Sequence, residues 1–69
     1  MNRVDQAMAT GNDILKSIPE VPEEGQDFAY SVEEKVLGIM EWITENKRVT
    51  ELQEIALENM SNGIAKWIR

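Results

Sequence analysis

The chain has 69 residues, thirteen of them acidic and seven basic, for a net charge of −6, and it contains neither cysteine nor histidine. That length holds one domain with a thin core, which buries only about 60% of the surface its unfolded form exposes. Without those two residue types there are no disulfides, thiolate zinc sites or iron–sulfur clusters, and the commonest general base is missing, so neither an enzyme nor a bound metal or cofactor is expected.

The acidic balance argues against direct contact with nucleic acid or anionic lipid, whose phosphates must be neutralised by Lys and Arg. It favours solubility and steers the chain towards a basic protein partner. No run reaches the roughly 18 apolar residues that span a bilayer. Met1-Asn2-Arg3-Val4-Asp5 lacks the apolar core and cleavage site of a signal peptide, so the expected location is the cytoplasm. A core this small supplies only about 3–5 kcal/mol, and no covalent staple is present, so a homodimer or other homo-oligomer is expected.

In residues 2–18, Val4, Ala7, Met8, Gly11, Ile14, Leu15 and Ile18 recur at three- and four-residue steps, one face of an amphipathic helix. Thr10-Gly11-Asn12-Asp13 interrupts it with residues that favour turns. Either one helix tolerates Gly11 at about 1 kcal/mol, or a frayed start leads into a short helix capped near Asn12; the single helix is the preferred reading. Pro19 ends it, because the residue before a proline is pushed out of the helical region. Residues 19–30 then read as an extended acidic linker, with Pro19 and Pro22 favouring polyproline geometry and Gly25 permitting a turn. Val21, Phe28 and Tyr30 are apolar enough to tack it onto the helices. A strand at residues 28–32 would have no partner strand.

Ser31-Val32-Glu33-Glu34 has the form of a capping box and predicts a helix over residues 32–46. Val32, Val36, Ile39, Met40 and Ile43 form its stripe, widened by Leu37 and Trp42, and Asn46-Lys47-Arg48 places cations at its negative pole. Thr50-Glu51-Leu52-Gln53 is a second box and predicts a helix over residues 51–68, with Leu52, Ile55, Ala56, Leu57, Met60, Ile64, Trp67 and Ile68 apolar. The short connection makes these two an antiparallel hairpin. A continuous helix through residues 46–50, stabilised by a dimer, is the competing reading. The expected fold is therefore all-α: a C-terminal antiparallel helical hairpin plus an N-terminal helix joined by an extended acidic linker. The first helix completes either a three-helix bundle or a dimer.

Two residue sets are candidates for binding. Glu34, Glu41 and Glu45 fall within about 40° of one another on a helical projection, and Glu51, Glu54 and Glu58 do the same on the last helix. Most have no base placed for a favourable i,i+4 pair. Such an acidic surface can imitate the phosphates of DNA and occupy the groove of a basic nucleic-acid-binding protein; a merely solvated face is the plainer alternative. The second set is Trp42, Ala56, Met60, Gly63 and Trp67, a helix-packing or oligomer interface. Val49, Ala56 and Gly63 recur every seven residues and would let another helix approach closely, although Gly63 could equally be a local break. Trp67 is expected in the core and Trp42 at its edge, either anchoring an interface or shielding the core. Met8, Met40 and Met60 suit gap-filling.

Weaker matches carry little. Pro19-Glu20-Val21-Pro22 has no flanking base, residues 20–27 lack EF-hand spacing, and Ser17, Ser31 and Ser61 have no histidine to activate them. The expected function is a small acidic helical interaction protein that binds and modulates or inhibits a target protein, in its sharper form as a DNA mimic. The alternative is a structural or assembly subunit acting through helix-mediated homo-oligomerisation. In size, acidity and lack of chemistry the chain resembles the small host-directed proteins of bacteriophages, a resemblance of composition alone.

Overall fold

A computed structural model describes residues 2–68. They form three α-helices: α1 (Arg3–Ser17), α2 (Gln26–Asn46) and α3 (Glu51–Ile68). Two short 3-10 turns, Ile18–Glu20 and Glu23–Gly25, join α1 to α2. The fold is all-α, with no strand among the described residues.

The Asn2 side chain caps α1 by accepting from the Asp5 amide at 2.8 Å. The helix runs through Thr10-Gly11-Asn12-Asp13 without a break. The Thr10 hydroxyl is absorbed by donating to the Gln6 carbonyl at 3.0 Å. Gly11 is buried, and a Cβ there would lie 2.6 Å from Met40 Sδ, so its small size admits α2.

The connection departs from the extended linker over 19–30. It is confined to residues 18–25 and is largely 3-10 turn, with the Gly25 amide donating to the Pro22 carbonyl at 2.9 Å. Val21 tacks it down at 3% exposure. The helix expected over 32–46 starts earlier, at Gln26, so the Ser31 capping box does not form and residues 28–32 are helix. The reason is burial. The added turns carry Ala29, fully buried, onto the face of Val32, Val36 and Ile43. A side-chain cap is worth about 1 kcal/mol, and apolar packing across the bundle outweighs it. Tyr30 and Phe28 consequently ride on α2 and are exposed, instead of pinning a linker.

At the far end of α2, Lys47 takes a left-handed conformation (φ 56°), and its amide donates to the Ile43 carbonyl at 2.7 Å. Residues 47–50 thus break the chain between α2 and α3. The second capping box forms as written in the sequence. Thr50 Oγ1 accepts from the Gln53 amide at 3.1 Å, and Gln53 Oε1 accepts from the Thr50 amide at 2.9 Å.

The core joins Ala7, Ile14 and Ile18 from the first segment to Val32, Val36 and Ile43 of α2 and Leu57 and Ile64 of α3. α1 packs most extensively on α3 and next on α2, while α2 and α3 touch least. Arg3 meets Glu54, Met40 covers Gly11, and Phe28 covers Gly63. α1 and α3 therefore run in one direction and α2 in the other, in a body of 35 × 19 × 18 Å. Among the described residues no helix is long and apolar enough to cross a membrane.

Candidate functional site

The sparsely packed seam between α2 and α3 opens into a groove of about 560 Å³. Lys35, Gly38, Ile39 and Trp42 line it from α2, and Gln53, Ala56, Asn59 and Met60 line it from α3. Helical geometry explains both walls. Steps of three and four residues keep each set on one flank, beside the stripe that faces the core. Trp42 is half-buried, and the Arg48 guanidinium lies 5.6 Å from its ring centroid, which holds the indole at the groove's end. Met60 and Ile39 are half-buried against the core beneath.

The chain has four glycines, and their surroundings differ. A Cβ at Gly11, Gly25 or Gly63 would press on Met40, on Trp67 and Val21, or on Phe28 respectively. At Gly38 a Cβ would meet nothing within 4 Å. Gly38 is in the interior of α2, where glycine costs about 1 kcal/mol relative to alanine. Nothing inside the molecule uses its small size.

Of the residues expected to pack helices, Trp42, Ala56 and Met60 meet in this groove. Gly63 and Trp67 do not line it. Gly63 is filled by Phe28 of the same chain, so it serves internal packing and is no break in α3. Trp67, expected in the core, is 38% exposed. It stands at the end of α3, against the Gly25 turn. Two further apolar side chains lie on α3 near the groove: Leu52, 80% exposed, and Ile55, 47% exposed.

The six carboxylates expected to form the acidic surface divide between two sides of the bundle. Glu34, Glu41 and Glu45 are exposed on the back of α2, turned away from Val36 and Ile43. Glu54 and Glu58 line a smaller, polar groove of about 330 Å³ between α1 and α3, on the side of the bundle that α2 does not cover, and Glu51 lies one turn before them. Glu54 is also engaged: Arg3 grips it with a two-pronged guanidinium contact, Nε to Oε2 at 3.1 Å and Nη2 to Oε1. That hydrogen bond, with the Arg3 charge behind it and partial desolvation against it, lowers the Glu54 pKa. The same contact raises the Arg3 pKa.

The sequence pattern left Asp27 in the connector, yet it extends the α2 ridge. Asp27, Glu34 and Glu41 follow at seven-residue steps and Glu45 one turn on, all exposed. The heptad spacing was the available signal. Gly38 lies one turn from both Glu34 and Glu41, so the ridge runs along α2 beside the groove and outside its lining. Three of the cations, Arg3, Lys47 and Arg48, share a pocket at the end of the bundle where α1 begins and α2 meets α3. Among the described residues, Arg3–Glu54 is the only ion pair, and no three acidic side chains converge to hold a metal ion.

Comparison with protein-family models, curated proteins and solved structures gives no match.

Proposed function

We propose that the protein is a non-catalytic interaction module that binds a partner protein in the groove between α2 and α3 and acts by occupying that partner's surface. Gly38 carries this reading. It keeps a costly glycine inside a helix, on the wall of a mostly apolar groove, with open space where its side chain would be. A glycine that no internal neighbour uses is one that an external backbone can approach. Trp42 supplies the aromatic anchor that concentrates binding energy at interfaces, and Met60 the adaptable apolar surface.

The sharper DNA-mimic form draws on all six carboxylates as one array. The α2 ridge alone offers Glu34, Glu41 and Glu45 as a single line; Glu51, Glu54 and Glu58 belong to the other side of the bundle. The apolar groove, with the α2 ridge running beside it, is therefore the better supported binding surface. Self-association is the second reading, favoured by Leu52 and Ile55, which leave a large apolar area of α3 in solvent.

The test compares tagged wild type with Gly38→Leu and Leu52→Glu in pull-downs from lysate, alongside sedimentation of each protein alone. A partner retained by wild type and lost with Gly38→Leu, whose side chain fills the groove without disturbing the fold, is the expected result. An identical catch from both removes the groove from the account. A wild-type mass well above 7.9 kDa that falls to the monomer in Leu52→Glu would transfer the surface to a second copy of the chain.

A further inference from the structure

Granting the groove reading, we infer that the occupant is a basic amphipathic helix of another protein. It would lie along α2 with its apolar face on Trp42, Ile39 and Met60 and its cationic flank against the α2 carboxylates. The groove's lining runs from Lys35 to Trp42 on one wall and from Gln53 to Met60 on the other. Each wall is about 10 Å, or two helical turns, long. That length suits anchors at i, i+3 or i+4 and i+7 of an inserted helix. Open space at Gly38 lets the backbone of such a helix come close to α2.

Charge decides the kind of helix. The α2 ridge holds Asp27, Glu34, Glu41 and Glu45 over about 27 Å of helix axis. Among the described residues none of the four forms an ion pair. Lys35 is the one charged residue in the groove's lining, and the four acids stand outside it on the adjoining surface of α2. The α3 side offers no counterweight: Leu52 and Ile55 are apolar and Asn59 is neutral. A helix seated in the groove thus has a row of carboxylates beside it on the exposed surface of α2 and a neutral, apolar surface on its α3 side. A second copy of this chain would bring the same net charge of −6, like charge against like.

The probe is a set of three synthetic helices of about 18 residues, long enough to run beside the ridge, with one shared leucine face. Their flanks carry Lys, Gln or Glu. Binding is read from Trp42 emission in full-length Trp67→Phe protein, which keeps a single tryptophan. Circular dichroism checks that this protein is folded. Four exposed ion pairs should make the Lys helix about tenfold tighter than the Gln helix, with the advantage shrinking in high salt. Gly38→Leu should abolish binding, and the Glu34→Lys/Glu41→Lys double substitution should erase the preference for Lys.

If all three helices bind alike and Gly38→Leu still blocks them, the groove stands but the basic occupant is refuted. If the Lys helix binds Gly38→Leu as well as wild type, the contact is diffuse attraction to an acidic surface and the inference fails. If no helix binds and Trp42 emission shifts with protein concentration alone, the occupant is a second copy. If neither changes the emission, the inference and the groove reading fall together.

Discussion

Two of the bundle's three seams are built differently. Between α1 and α3 the helices approach most closely, Ala7 and Leu57 are almost completely buried, and the Arg3–Glu54 contact bridges one end of the seam. Between α2 and α3 the helices touch least, and the space they leave is lined by Gly38, Trp42, Ala56 and Met60. The same helix, α3, serves both. Its Leu57 flank holds the fold together, and the flank carrying Ala56 and Met60 presents apolar surface to whatever comes near. A chain with a core this small concentrates its stability in one seam, which leaves the other free to bind.

The largest effects should come from breaking the tight seam. Leu57→Ala removes a side chain at 1% exposure and should cost about 2–5 kcal/mol, comparable to the whole stability of a domain this size. Urea titration should show it largely unfolded. Leu52→Ala, at 80% exposure on the same helix, should stay within about 0.5 kcal/mol of wild type. Equal losses at the two positions would show that Leu52 is buried in solution, as in a dimer.

Glycine substitutions sharpen the contrast between used and unused space. Gly38→Ala should stabilise by about 1 kcal/mol and raise Tm by roughly 4–8 °C, since the helix gains a better former and nothing is displaced. Gly63→Ala should gain less or lose, because its Cβ would come 2.9 Å from Phe28 Cζ and force the ring to move. A fall in Tm for Gly38→Ala would mean that position 38 is already occupied in the isolated protein.

The smallest effect belongs to the margin of the tight seam. Glu54 has its pKa lowered by Arg3, so the pair supports the fold at neutral pH and that support is lost as pH falls below the ordinary glutamate value of about 4.3. Both side chains are partly exposed, so the change should be slight and should fade in salt. Melting from pH 7 to pH 3 should show that Glu54→Gln lacks this component while Glu34→Gln keeps it.

Much of the architecture was legible because it is written locally. Periodicity alone defines three apolar helical faces, and the Thr50-Glu51-Leu52-Gln53 box places the start of α3 through hydrogen bonds within a single turn. The similar Ser31 box misled for the opposite reason. Ala29, before that box, finds a buried place only in the packed bundle, and that long-range burial extends α2 back to Gln26. Trp67 was misassigned to the core in the same way, since at the end of α3 it rests against the Gly25 turn and stays 38% exposed.

By itself the sequence determined the all-α class, the acidic balance, the absence of thiol and imidazole chemistry, and the residues that share each helix face. All of these depend on composition or on the fixed 3.6-residue turn. Only the tertiary structure decided which faces are spent on one another. It put Phe28 over Gly63 and Met40 over Gly11, left Gly38 open, and sent the two sets of carboxylates to opposite sides of the bundle. A helix face is set by spacing along one chain segment. Whether it becomes core or surface depends on which helices pack beside it, and that is settled by how the three bury their apolar stripes together.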